Sequence, residues 1–189
     1  MEKTNHISTK KIVLTALLAA LTVAGSSFRV TIPIDIAGTT SFHLGNILCA
    51  LSGILLGPWY GAAAAGIGSA IYDMMNPLYI SEAWITFLTK GAYGLASGLV
   101  ICLGKKNWGY AKAVIATVAG ALTYAVLYLA KTYFYSGLLL KGLTAEAAGL
   151  TVIAKLPATT FNAVVAIVCA PVLAISIRKA LERSHLKLD

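Results

Sequence analysis

The sequence predicts an all-α integral membrane protein: one domain over residues 1–189, six transmembrane helices, both termini cytoplasmic. Two observations of composition point there. Hydrophobic residues make up 58% of the chain and charged residues 12%, against about 25% in soluble domains, too little polar surface to coat a water-exposed globule. Mean hydropathy is +0.80. The third observation is spacing. Apolar runs approaching the roughly 20 residues that cross a bilayer recur along the chain, divided by short breaks marked by Gly, Pro or Lys.

Span 1, residues 11–28, follows Lys10 and Lys11. Its Ala24-Gly25-Ser26 end resembles a signal-peptide cleavage site, but further apolar spans follow, so a retained helix is expected. A loop rich in Thr, Pro and Gly comes next. Span 2, residues 43–56, stops at the Gly57-Pro58 turn signal, and span 3, residues 59–73, stops before Asn76-Pro77. These two are short, which fits a mostly buried pair. Span 4 covers 83–103 and ends before Gly104-Lys105-Lys106. Span 5 covers 110–135 and ends before Gly137. Span 6 covers 148–177 and ends before Arg178-Lys179.

The net charge of +8 follows the membrane reading rather than a nucleic-acid one, because no basic run with interleaved aromatics is present. On the side of the termini fall Lys3, Lys10, Lys11, Lys105, Lys106, Lys112, Arg178, Lys179, Arg183 and Lys187. The other side has Arg29 and Lys141 in loops and Lys90, Lys131 and Lys155 inside spans. Cytoplasmic loops collect Lys and Arg, which places both termini inside. Cys49, Cys102 and Cys169 sit singly in apolar runs and are expected to be small buried packers.

The three intramembrane lysines share the outer half of the bilayer. At 100° per residue Tyr124, Tyr128, Lys131 and Tyr135 lie on one face, as do Lys155, Thr159 and Asn162. Lys90 and Tyr93 neighbour each other on span 4. Asp73, Asn76 and Glu82 fall at the same level. Ionisable groups in spans face a bundle interior or a cavity. A Tyr-lined pocket with a few polar groups suits a small, flat, polar molecule. In the alternative, Lys131 and Lys155 reach the headgroups, the tyrosines form an interfacial belt, and Lys90 pairs with Asp73 or Glu82 as structural glue.

Small residues recur every four positions in three spans: Ala16, Ala20 and Ala24; Gly61, Ala65, Ser69 and Asp73; and Ala154, Ala158, Asn162, Ala166, Ala170 and Ala174. Such stripes let helices approach closely in lipid. Internal packing is the default, but span 1 sits where an edge helix is expected, so its stripe is a candidate docking surface for another membrane subunit. No P-loop, HExxH, GxSxG or metal-ligand spacing occurs, so the chain is read as carrying no enzyme activity, cofactor or metal.

FHLGNILCALSGILLGPWYGAAAAGIGSAIYD (residues 42–73) resembles the substrate-binding S component of energy-coupling factor (ECF) vitamin transporters, an ABC-type importer family. The shared pattern is HLG, a short apolar helix, then LxGPxYGAxAxGxGSAxxD. ITFLTKGAYGLASGL (85–99) is similar to the family's fourth span, with Lys90-Gly91 in place. The likeness is greatest to the branch associated with riboflavin and with hydroxymethylpyrimidine or pyridoxine-type precursors; that branch often has Asp where this chain has Asn46.

The resemblance implies a high-affinity subunit of a prokaryotic cell membrane. It would bind a small vitamin or precursor, such as a pyrimidine, pyridoxine or flavin compound, and dock on a transmembrane T subunit with two cytoplasmic ATPases. Ala16, Ala20 and Ala24 match the docking helix. The 29–43 loop is expected to act as a lid, flexing at Gly38 and Gly45, with Arg29, Asp35 or His43 on the ligand. A stand-alone secondary transporter and a small membrane enzyme are the competing functions.

Overall fold

The computed structural model describes residues 9–34, 38–103 and 108–184. They form six α-helices: α1 (Thr9–Ser27), α2 (Gly45–Leu56), α3 (Pro58–Met74), α4 (Ala83–Cys102), α5 (Tyr110–Lys131) and α6 (Ala145–Arg183). Between α1 and α2 the chain forms an antiparallel hairpin of β1 (Arg29–Ile34) and β2 (Gly38–His43), with Arg29 opposite His43 and Ile34 opposite Gly38. The expected lid loop is therefore a hairpin, and the described residues are otherwise helical apart from turns. Asp35 lies outside the described residues.

Among the described residues, four helical segments are long and apolar enough to cross a membrane: Thr9–Ser27, Ile80–Cys102, Tyr110–Leu140 and Ala145–Arg183. The second includes one 3-10 turn at Ile80–Glu82, and the third a π-helical continuation of α5 at Thr132–Leu140. α6 is longer than expected, 39 residues. Thr144 caps its start, the hydroxyl accepting from the Ala147 N–H at 3.3 Å, with Glu146 in the first turn. The 12 residues of α2 span about 18 Å, short of the roughly 30 Å hydrocarbon core. Nine of those 12 are buried, as expected of a helix sheathed by its neighbours.

The packing is inverted relative to a soluble bundle. Ala50, Ala64, Ala65, Ala113, Ala116, Ala166, Ala170 and Ala174 are wholly buried, while Val13, Leu17, Ile115, Leu122, Val126, Ile153, Val164 and Val168 are exposed. Lipid is as apolar as leucine, so large aliphatics gain little by turning inward. Small residues gain contact area by letting backbones meet. The α3 stripe of Gly61, Ala65, Ser69 and Asp73 faces inward, and so does the α6 stripe from Ala158 to Ala174.

α2, α3 and α4 make the closest approach. A methyl at Gly61 would lie 2.5 Å from the Gly53 Cα, and one at Gly94 would lie 2.5 Å from the Gly61 carbonyl oxygen. Gly57, at φ 79°, turns the chain between α2 and α3, and Pro58 opens α3. Gly45 opens α2 and is buried, and a methyl there would strike Ser26 and His43. Of the cysteines Cys49 is buried and Cys169 half-buried, but Cys102, at the end of α4, is exposed.

Candidate functional site

A cavity of about 280 Å³ opens between the hairpin, α3, the α3–α4 connection, α4, α5 and α6. Its aromatic wall follows from helix periodicity: Tyr124 and Tyr128, four apart on α5, stack at 5.5 Å with ring planes 27° apart. Tyr93 stacks behind Tyr124 at 5.8 Å. The result is a short ladder of rings with its open end in the cavity.

Lys90 is only 5% exposed. Its ammonium donates to the Asn46 side-chain oxygen and lies 3.8 Å from the centre of the Tyr124 ring. It thus pairs with an amide and a ring face rather than with Asp73 or Glu82. Lys131 does not reach for headgroups: it forms an ion pair with Glu82, whose other carboxylate oxygen accepts from the Ser136 hydroxyl. Lys155 lies 5.8 Å from the Tyr128 ring centre on the same cavity wall. Asp73 and Thr159 also line the cavity, though the Thr159 hydroxyl already donates to the Lys155 carbonyl at 2.9 Å.

Above these groups sits the hairpin. The Arg29 guanidinium lies over Tyr72 and Tyr79, at 4.5 and 4.8 Å from the ring centres. The Tyr79 hydroxyl is within 3.3 Å of both the Thr39 and Ser41 hydroxyls, tying β2 to the α3–α4 connection. Burial alone would raise the Tyr79 phenol. Hydrogen bonds with Ser41, Thr39 and Arg29, and the Arg29 charge, outweigh it and hold the phenol below its ordinary value. Desolvation, then the Lys90 and Arg29 charges, hold the His43 imidazole well below its ordinary value, so it is neutral. Its Nδ1 accepts from the Gly45 N–H at 3.2 Å, which leaves the proton on Nε2.

Asn162 joins the hairpin to α6. Its amide nitrogen donates to the Ser41 carbonyl at 2.8 Å, and its oxygen accepts from the His43 N–H at 3.0 Å. The side chain lines the cavity, but its hydrogen bonds go to strand β2, satisfying one donor and one acceptor of its outer edge. Asn162→Leu removes both bonds while keeping the volume close. Amide hydrogen exchange at His43 should accelerate roughly ten-fold or more, since each net hydrogen bond is worth about 0.5–1.5 kcal/mol. Unchanged protection would mean the strand is held by other contacts.

Three expected site residues lie elsewhere. Tyr93 is fully buried behind Tyr124 and backs the cavity wall instead of lining it. Asn76 caps its own turn, the side-chain oxygen accepting from the Leu78 N–H at 3.0 Å. Tyr135 follows the onset of the π-helical stretch at Thr132, where the wider turn carries each residue less far around the axis than an α-turn. It leaves the Tyr124–Tyr128 face, packs edge-on to Trp84 and donates to the Ser81 carbonyl at 3.1 Å. Tyr72, Tyr79, Ser41, Asn46 and Ser136 were not among the expected liners; fold contacts across 38 or more positions, such as Ser41 to Tyr79, bring them in.

Ala16, Ala20 and Ala24 are exposed on the outer face of α1. The opposite face, with Leu18, Ala19, Thr22, Gly25 and Ser26, is the one that packs inward. Among the described residues no three His, Cys, Asp or Glu side chains converge as metal ligands would.

The family model described as "ECF-type riboflavin transporter, S component" matches residues 6–179. A Pyrococcus woesei protein described as an uncharacterized protein in gap 3'region is 30% identical over 118 residues, 62% of this chain and 74% of that protein. The crystal structure of an S component for biotin from an ECF-type ABC transporter superposes with a TM-score of 0.60, covering 91% of this chain and 94% of that one. At 16% identity that likeness concerns the fold.

Proposed function

The chain belongs to the ECF-type riboflavin transporter S-component family, a family of substrate-binding transport subunits and not of enzymes, and from that premise we propose how it works. It is the high-affinity binding subunit of a vitamin importer in a prokaryotic cell membrane, crossing six times with both termini inside. Its ligand is a small water-soluble aromatic heterocycle of the pyrimidine, pyridoxine or flavin kind. The single observation that supports this most is the ring ladder of Tyr124 and Tyr128 set in an otherwise hydrophilic cavity within an apolar bundle. A flat heterocycle stacks on the rings, and the ammonium, amide and hydroxyl groups fix its edge.

Uptake then depends on partners. The α1 stripe of Ala16, Ala20 and Ala24, left exposed by the bundle, docks on a transmembrane T subunit that carries two ATPases. Ala20→Trp puts a bulky ring on that face without touching the cavity. Co-purification with the T subunit should fall by roughly ten-fold or more, as for a disrupted close-packed interface, while ligand affinity stays unchanged. Normal assembly and uptake by this variant would move the docking face. ATP-independent uptake into vesicles driven by an ion gradient alone would instead mark a stand-alone secondary transporter.

A further inference from the structure

If the cavity holds the transported vitamin, as read above, its charges narrow what that molecule is. Arg29, Lys90, Lys131, Lys141 and Lys155 bring five cations to the wall, and Asp73 and Glu82 bring two carboxylates. Glu82 already neutralises Lys131. Lys90 is satisfied by an uncharged amide and a ring. Among the described residues, no carboxylate lies within ion-pair distance of Lys155 or Arg29. The Arg29 Nε is buried and has no acceptor, although the rings of Tyr72 and Tyr79 hold the guanidinium in a fixed plane. The nearby imidazole of His43 is neutral and supplies no further charge. Asp73 offsets part of this charge at longer range, but the cations outnumber the carboxylates; enclosed excess positive charge is costly, so the wall is suited to a partner that supplies negative charge.

Size and lining add two constraints. The volume of about 280 Å³ sits at the small end of the roughly 300–1,000 Å³ of sites for drug-sized ligands. Leu78, Leu140 and Ala158 are the only aliphatic liners among the described residues; the others offer rings, hydroxyls, amides or charges. The excess of positive charge favours an anionic ligand over a neutral one.

We propose that the site takes a compact aromatic anion: a single nitrogen-containing ring against the Tyr124–Tyr128 ladder, carrying a phosphate monoester or carboxylate neutralised by Arg29 and Lys155. Arg29 belongs to the hairpin and Lys155 to α6, so the anion bridges lid and bundle.

The test is calorimetric titration of the purified full chain with matched pairs: pyridoxine and its phosphate ester, hydroxymethylpyrimidine and its phosphate ester, nicotinamide and nicotinate, riboflavin and its phosphate ester. The anionic member of a single-ring pair should bind roughly ten- to hundred-fold tighter than its neutral twin, the strength of a charge-assisted contact. Arg29→Met and Lys155→Met should each reduce that preference without weakening the neutral twin, and Lys155→Arg should keep it. Which pairs respond separates phosphate from carboxylate. A neutral compound binding as tightly as its anionic twin, or a preference that survives both Met variants, overturns the charge assignment alone. If no probe binds and denatured protein releases no small molecule, the binding-subunit reading fails, and this proposal with it.

Discussion

Gly94→Val is expected to prevent the bundle from assembling. At Gly94 a single methyl already lies 2.5 Å from the Gly61 carbonyl oxygen, and Gly61 in turn abuts the Gly53 backbone. The obstacle is backbone, so no side-chain rotation relieves it; α3 and α4 must separate, and with them the walls that carry Asp73 and Lys90. Overpacking commonly costs about 1–3 kcal/mol, and a backbone-to-backbone clash belongs at or above the upper end. Thermal unfolding in detergent, followed by circular dichroism, should show a strongly lowered midpoint or no folded protein. Gly149→Ala is the matched control. It lies in α6 with nothing within 4 Å of the added methyl, so it should be neutral or stabilising by about 0.5–1 kcal/mol, the usual gain for Gly to Ala in a helix. Equal behaviour of the two variants would show that the three-helix contact is looser than described.

Lys90→Met is expected to lower ligand affinity roughly ten- to hundred-fold, the loss of one charge-assisted hydrogen bond. It also strands the Asn46 oxygen, in a residue only 2% exposed, at a cost of about 1–3 kcal/mol of stability. The two effects can be separated. Adding Asn46→Leu removes the stranded amide and should recover part of the stability, yet it should not recover binding. If the double variant binds like the parent, Lys90 is structural glue and not a ligand contact.

The four long helices were legible in the sequence because apolar runs of bilayer length have few alternatives. The short α2–α3 pair was legible because Gly57-Pro58 interrupts an otherwise continuous run. The hairpin was not. RVTIPI alternates, but Val30 and Ile32 face outward and Pro33 breaks the run, so together with the Thr- and Gly-rich partner GTTSFH it reads as a loop. Within the site, helix phase placed Tyr124, Tyr128 and Lys131 together correctly but failed at Tyr135, because nothing in TYFYSGLLL announces a π-helical turn. The pairing of Lys131 with Glu82 and of Lys90 with Asn46 was hidden for another reason. Periodicity gives the direction of a side chain, while its partner depends on which helices are neighbours.

The account rests on the cavity being a binding site in the isolated subunit, with no partner or nucleotide required. Mass spectrometry of the small molecules released on denaturing the purified chain tests that most directly. The account predicts one aromatic heterocycle released at close to one per chain, and its loss from Lys90→Met. Protein that releases nothing, binds no such compound when offered it, and behaves the same with and without Lys90 would contradict it.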